Sequence, residues 1–445
     1  MKIFVLPTLT FAAATAGIAG FATLGRANPG DKRVPVDFAK VKADAFALCQ
    51  GPFRKPQPEA IPMLDPPTES GVGTLGMIYQ EELAVRARAN LLDQKDFYVK
   101  PLPRAAVNQI PMEVFVDPVG DGRYEPKTWA DANFDYGSPD IQPPIDREKI
   151  PEAGRVLTEV IVGHRAPDGG YPQLFDFRSS AYVRFAGYPP QITGASLRLG
   201  AHGIFSQGAS PEQTPSEDFP VLRRLYMTIK DNRTAHAYGI LENELFCAAL
   251  DIEMLEGAEA KLTIDNAFYF RKDHKWKEDP HTALVAYSSM LWKTEKHTPE
   301  HDNDEAHDSD TLVVKYADGQ QKRVSLDQPD DRLRVQEFPS TGQTAVVQEW
   351  ELNNEDRDPA HYAHFAPALG STNYDKRVSY RVRILESNAK TAVTLYESNP
   401  DGEYGDNIVA ASTLRQDVAK SKDPSDFVRF KYETTAFYPE AAPKK

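Results

Sequence analysis

The sequence is short of cysteine, of basic residues relative to acidic ones, and of long apolar stretches. It has 51 Lys and Arg against 65 Asp and Glu, a formal net charge of -14. This balance argues against nucleic acid as a main partner, because phosphate binding requires a basic face. Beyond the N-terminal segment, no stretch approaches the ~18 apolar residues of a membrane span, so we expect no stable membrane insertion of the mature chain.

Cys49 and Cys247 are the only cysteines. They could form one disulfide in an oxidising compartment, or remain as two buried thiols, and the sequence leaves both open.

Motifs for common cofactors and nucleophiles are also missing. The chain has no Gly-rich phosphate loop followed by a helix and no Gly-x-Ser-x-Gly nucleophile elbow. We therefore expect no cofactor. A metal site is a rival interpretation of one acidic, His-containing segment, but its spacing matches no standard metal motif. The residues concerned are His297, His301, Asp302, Asp304, His307 and Asp308.

The first residues have the pattern of an export signal. Lys2 precedes an apolar run from Ile3 to about Leu24 that is rich in Ala and Gly. Small residues near Ala27 suggest cleavage there, which would remove residues 1–27. An uncleaved anchor is the alternative, and the Gly, Thr and Ala content favours the cleaved signal. We expect the mature protein outside the cytoplasm.

Turn-forming residues are abundant, with 35 Pro and 27 Gly, and helical patterns are few. One short helix is predicted from Asp37, as its cap, to Cys49, and a second within Met77–Leu92. From Arg155 onward, short strands alternate with turns. In 378–384, Val378, Tyr380 and Val382 alternate with polar residues, the pattern of a strand with one buried face. We predict an all-β protein, a large antiparallel β-sandwich with a few short helices near the N-terminus.

The strand predictions between Arg155 and the C-terminus are based on β-branched and aromatic content and on flanking turn signals. They cover 155–162, 182–186, 222–229, 261–270, 311–316, 345–352, 378–385, 391–396 and 427–435.

Five motifs follow one another between Ser179 and about Ala411. They are Ser180-Ala181-Tyr182-Val183-Arg184, Glu217-Asp218-Phe219-Pro220, Ser289-Met290-Leu291-Trp292, His307-Asp308-Ser309-Asp310 and Asp406-Asn407-Ile408-Val409-Ala410. This ordered set resembles the osmoregulated periplasmic glucan biosynthesis proteins of the G and D types.

The resemblance implies a periplasmic protein with a galactose-mutarotase-like β-sandwich over residues 28–445. It also implies a role in making or trimming β-1,2-glucan, as an inverting glycoside hydrolase or transglycosylase. The partner would be a β-glucan oligo- or polysaccharide. The family's second, immunoglobulin-like domain is expected to be absent. The oligomeric state is left open, a homodimer included.

Some segments depart from the family pattern. Gly200-Ala201-His202-Gly203 stands where a carboxylate is expected, and two Trp-containing segments are replaced. Lost Trp residues mean lost sugar-stacking surface, so a non-catalytic glucan-binding or assembly factor is the alternative.

Inverting cleavage requires two carboxyl groups, an acid and a base. The resemblance makes Asp308 the candidate acid, with Trp292 as a neighbour that could raise its pKa by desolvation. The candidate base is Glu217 or Asp218; the alternative is that these two residues cap a turn before Pro220.

Sugar binding favours aromatic faces and planar polar groups, although core packing is the commoner role of a large aromatic residue in a strand. The substrate-binding candidates are Tyr182, Arg184, Trp292, Glu295, His307, Asp310, Trp350 and Tyr404.

Overall fold

A computed structural model describes the chain in segments. They are residues 33–53, 92–93, 97–103, 110–131, 155–164, 173–179, 181–185, 196–204, 220–231, 233–255, 260–271, 281–289, 311–326, 335–338, 346–353, 355, 379–397, 408–414 and 427–437. The predicted signal (1–27) and most of the second predicted helix (77–92) lie outside these ranges, so both stay predictions.

One helix and 23 strands make up the described part of the chain. In chain order they are β1 (Val34–Pro35), α1 (Phe38–Gln50), β2 (Leu92–Asp93), β3 (Phe97–Pro103), β4 (Glu113–Asp117), β5 (Arg123–Lys127), β6 (Leu157–His164), β7 (Gln173–Arg178), β8 (Tyr182–Phe185), β9 (Ser196–Arg198), β10 (Ala201–Ile204), β11 (Val221–Ile229), β12 (Thr234–Glu242), β13 (Phe246–Leu255), β14 (Ala260–Phe270), β15 (His281–Ser289), β16 (Thr311–Tyr316), β17 (Gln321–Ser325), β18 (Val335–Phe338), β19 (Val347–Asn353), β20 (Ser379–Ser387), β21 (Thr391–Glu397), β22 (Ile408–Leu414) and β23 (Val428–Phe437).

These strands form two large sheets. The 12-stranded sheet has the order β1-β5-β4-β11-β12-β13-β14-β23-β20-β19-β16-β17. The 11-stranded sheet has the order β18-β21-β22-β15-β9-β8-β7-β6-β3-β2, with β10 paired to β15. Among the described pairs, β4 with β11 is parallel and the others are antiparallel. The prediction of an all-β sandwich is confirmed.

The main core lies between the two sheets. One continuous cluster of buried apolar side chains includes Phe177 and Tyr287 from the 11-stranded sheet and Trp350 and Tyr432 from the 12-stranded sheet. Hydrogen bonds also cross this core, since the Tyr287 and Thr434 hydroxyls lie 2.5 Å apart. The inward faces of the sheets are therefore joined by apolar packing with a few paired polar groups, as buried polar groups require.

Helix α1 covers the outer face of the 12-stranded sheet. Asp37 caps its N-terminus by accepting a hydrogen bond from the Lys40 amide at 2.8 Å, as predicted. Val41, Ala45 and Cys49 are its buried residues, and they pack in a second cluster against β12, β13 and β14. These three strands are consequently buried on both faces where the helix packs against them.

Strand β20 confirms the predicted alternation. Tyr380 and Val382 are buried, whereas Arg381 and Arg383 lie on the outer face and pair with Glu351 and Glu349 at 2.7 and 2.8 Å. The β16 bounds agree with the prediction, and the other predicted strands agree within a few residues. Strands β3, β7, β12, β13, β15 and β22 are among those that were not predicted.

Candidate active site

The last residue of β15 and the first residue of β22 adjoin at one end of the 11-stranded sheet. Strands β15 and β22 pair antiparallel, with Ser289 opposite Ile408. In sequence, β15 ends where the segment 289–292 begins, and the segment 406–410 leads into β22.

The start of β16, in the opposite sheet, lies at the same end of the sandwich. The ring of Tyr287 packs against Tyr380 with centroids 4.9 Å apart. Tyr380 is in register, through β19, with Leu312. Because Leu312 follows the first residue of β16, β16 begins at the end of the sandwich where β15 finishes. The end of β15 and the starts of β16 and β22 thus lie at one end of the sandwich.

Strand β11 begins at the other end of β8. The Leu222 amide donates to the Ser179 carbonyl at 2.8 Å, and the Leu199 amide donates to the Ala181 carbonyl at 2.8 Å. The start of β11 therefore lies beside the start of β8, whereas Ser289 lies level with its end. The four residues of β8 span about 13 Å at ~3.3 Å per residue.

The outer face of the 11-stranded sheet carries charged residues at this place. Leu197 and Leu199 are buried in the core, so Arg198 between them belongs to the opposite face of the strand. In register, Tyr182 pairs with Arg198, and Arg184 pairs with Asp176.

Two of these outer-face charges are buried. Arg198 is 5% exposed and Glu159 is 1% exposed. Glu159 forms an ion pair with Arg178, whose Nε lies 2.7 Å from the carboxylate. Farther along the same face, the hydroxyls of the buried residues Thr394 and Thr413 lie 2.8 Å apart. Burying a charge is costly unless it is paired, and the Arg178 guanidinium provides that pairing for Glu159.

Ala181 has a strained backbone at the turn into β8. Its φ of 60° lies in the left-handed region, which costs a non-glycine residue roughly 1–2 kcal/mol. Its amide donates to the Arg178 carbonyl at 2.9 Å, which holds the turn in place. Strain of this kind clusters at functional sites, where surrounding contacts maintain it.

Comparison with known families shows which family the chain belongs to. The periplasmic glucan biosynthesis protein family, MdoG, matches residues 36–444. The chain belongs to this family. The resemblance seen in its motifs is thereby confirmed, and the family is a periplasmic one.

A curated relative within this family is glucans biosynthesis protein D 2 of Ralstonia nicotianae (strain ATCC BAA-1114 / GMI1000). The two chains are 26% identical over 249 residues, which is 54% of this chain and 43% of the relative. The match therefore spans less than half of the relative's length.

Most of the site residues expected of an MdoG-family member lie outside the described residues. They are Glu217, Asp218, Trp292, Glu295, His307, Asp308, Asp310 and Tyr404. Their roles remain predictions. Tyr182 and Arg184 lie in β8, next to the buried charges.

Trp350 requires a correction. We expected it to line a sugar-binding cleft, but it is fully buried between the sheets. Its indole Nε1 donates to the Ser412 hydroxyl at 2.9 Å, and its ring packs edge-on against Tyr287 at 6.0 Å. Trp350 is therefore unavailable for stacking on a sugar, and the alternative of core packing holds.

Sequence reasoning missed Glu159, Arg178 and Arg198. The available signal was a charged residue within an otherwise apolar strand, as in Leu197-Arg198-Leu199. Such a residue is a candidate for the polar face of a sheet, but the sequence alone does not show that this face is covered.

Potential metal ligands and one helix occur in the described ranges. No group of three or more His, Cys, Asp or Glu side chains there could hold a metal ion. The acidic, His-containing segment lies outside those ranges. Helix α1, the one helix described, is too short to cross a membrane.

Proposed function

We propose that this protein processes periplasmic β-1,2-glucan as an inverting glycoside hydrolase or transglycosylase. Membership of the MdoG family supports the glucan-related role. The observation that carries the proposal is that the end of β15 and the starts of β16 and β22, which three motifs adjoin in sequence, lie at one end of a sandwich with buried charges on the outer face of its 11-stranded sheet.

In this proposal, glucan lies along the outer face of the 11-stranded sheet. The buried carboxylate of Glu159 holds the partly exposed Arg178 in a fixed orientation, and the planar guanidinium of Arg178 matches the hydroxyl pairs of a sugar ring.

Asp308 is the proposed general acid, which protonates the oxygen of the bond that breaks. The proposed base is Glu217 or Asp218, which activates the water that attacks from the other side. Direct activation requires a carboxyl separation of about 6.5–9.5 Å. A larger separation is compatible with a base that acts through a chain of waters.

The alternative is a glucan-binding or assembly factor without catalysis. The replaced Trp segments motivate it, since they reduce the stacking surface available to a substrate. The two functions make different predictions for one experiment.

The test is incubation of the full chain with linear β-1,2-glucan, with products followed by chromatography and the anomer of the new reducing end by NMR. We expect shortened or rearranged products with inverted configuration. Asp308→Asn should lower the rate by roughly 10²–10⁴-fold, the usual contribution of a general acid. Asp304→Asn, the same change four positions earlier, is the matched control and should retain activity.

Full turnover by Asp308→Asn would remove Asp308 as the acid. Glucan binding without turnover by the wild type would favour the non-catalytic alternative. A wild type that neither binds nor cleaves glucan would count against both.

A further inference from the structure

Two cysteines distant in sequence meet beneath helix α1. Cys49 lies in the last turn of α1 and Cys247 near the start of β13. Both are free and buried, with exposures of 4% and 0%. They belong to the cluster between the helix and the outer face of the 12-stranded sheet.

The contacts around the two sulfur atoms place them side by side. The Cys49 thiol donates to the Tyr269 carbonyl at 3.0 Å. Tyr269 in β14 is the residue directly opposite Cys247 in β13. Side chains from the helix and the strand thus lie side by side in the same cluster.

Arg271 holds both cysteines from the side. Its Nη2 lies 3.4 Å from the Cys247 sulfur, and its Nη1 lies 3.5 Å from the Cys49 carbonyl. Nη1 also donates to the Gly51 carbonyl, just beyond the end of α1. Arg271 is itself anchored by the buried carboxylate of Glu242. The end of the helix is therefore fixed against β13 independently of the thiols.

We propose that Cys49 and Cys247 form a disulfide that fastens the C-terminal end of α1 to β13. Nothing in this inference depends on glucan processing. It does follow from the compartment, because proteins of the periplasm are exposed to oxidants that convert adjacent thiols to disulfides. The reduced pair in the structure is the substrate of this reaction.

The oxidant is a disulfide, either of a small thiol or of a protein. The Cys49 thiolate attacks this disulfide, which forms a mixed disulfide and releases the first oxidant thiol. The Cys247 thiolate then attacks the Cys49 sulfur and releases the second oxidant thiol. The protein loses two electrons and two protons, and the oxidant gains both.

The order of attack follows from the surroundings of the two thiols. A hydrogen bond from Cys247 lowers the pKa of Cys49 despite its burial, with Arg271 contributing. Burial raises the pKa of Cys247 well above its usual value. Cys49 is therefore the better first nucleophile. Since both sulfurs are covered, oxidation requires the last turn of α1 to separate from the sheet, or it occurs before the helix docks.

The experiment uses the full chain exported to the periplasm and purified without reductant. The protein is denatured in an alkylating reagent, and its intact mass and its peptides are measured. We expect no alkylation, with Cys49 and Cys247 in one cross-linked peptide pair, and two alkylated thiols after prior reduction.

A stability measurement provides the second arm. The bond closes a very long loop, so reduction should lower Tm by about 5 °C for a domain of this size. In Cys49→Ser, reductant should not change Tm. Thiol mapping of the wild type keeps the test decisive even if that variant folds poorly.

The proposal is overturned if both thiols of the exported protein are alkylated, and are still alkylated when the protein is first incubated with excess oxidised glutathione just below Tm. Cross-linking between two chains, in place of the intramolecular bond, would also overturn it.

Discussion

Removing the guanidinium of Arg271 should destabilise the protein severely. Arg271 is 6% exposed and Glu242 is 3% exposed, and they form an ion pair at the end of β14. The Arg271 Nε donates to the Asn243 carbonyl at 2.9 Å, and Nη1 reaches the carbonyl of Gly51. One side chain therefore neutralises a buried carboxylate and holds both the β12–β13 turn and the end of α1.

The magnitude follows from what Arg271→Met leaves behind. Breaking a buried ion pair by removing one partner typically costs 3–5 kcal/mol. Arg223 still contacts Glu242 at 2.8 Å, so the cost of breaking the ion pair lies near the lower limit of this range. The carbonyls of Gly51 and Asn243 lose one hydrogen bond each, about 1 kcal/mol apiece. We expect a total loss of about 4–5 kcal/mol in the free energy of unfolding.

The assay is urea unfolding with reductant present throughout, so that the cysteines do not contribute. Arg33→Met is the matched control, because Arg33 forms an exposed ion pair with Asp121 at 3.2 Å. It should cost at most ~1 kcal/mol. The double variant Arg271→Met/Glu242→Met should recover part of the loss, because it no longer buries an underpaired carboxylate.

Three results would refute this reasoning. Arg271→Met could cost less than ~1 kcal/mol, the range of a surface pair. Arg33→Met could cost as much as Arg271→Met. The double variant could lose the full sum of the two single changes, which would mean that the two side chains are not coupled.

Two further predictions concern a core residue and the acid response. Trp350→Phe should lower the free energy of unfolding by about 2–4 kcal/mol, because it opens space and leaves the Ser412 hydroxyl unpaired, while glucan binding measured by calorimetry stays unchanged. Weaker glucan binding at unchanged stability would contradict its core role. Burial would raise the pKa of Glu349, but hydrogen bonds from Lys315 and Arg383 outweigh it and lower that pKa. The stabilisation is therefore present above the usual Glu pKa of 4.5 and is lost as pH falls through the lowered value. The stability deficit of Glu349→Gln should therefore shrink from pH 7 to pH 3. A deficit that stays constant over this range would contradict the prediction.

Local signals in the sequence predicted the elements that have one exposed face. Asp37 marked the start of α1, because a side-chain oxygen there satisfies a free helix amide. The alternation in β20 survived because its outer face, with Arg381 and Arg383, meets solvent and charged partners. In such elements each residue's polarity reports its own surroundings.

Strands β12 and β13 escaped prediction for a specific reason. Helix α1 packs on their outer face, so Cys247 and Ala249 are buried beneath it while Ala248 and Leu250 are buried in the main core. With both faces buried, the alternation of apolar and polar residues disappears. The pattern of a strand therefore depended on an element some 200 residues earlier in the chain, whose position no local window contains.

The order of motifs in the sequence determined the family, and the short apolar runs between turns determined the β class, since both are expressed in short stretches of chain. Tertiary structure alone decided that Trp350 is a core residue, that Arg198 and Glu159 are buried on the outer face, and that Cys49 meets Cys247. Each of these depends on which strand or helix packs against the residue from elsewhere in the chain. Burial and contact are properties of pairs of distant segments, and a side chain's own identity does not specify its partner.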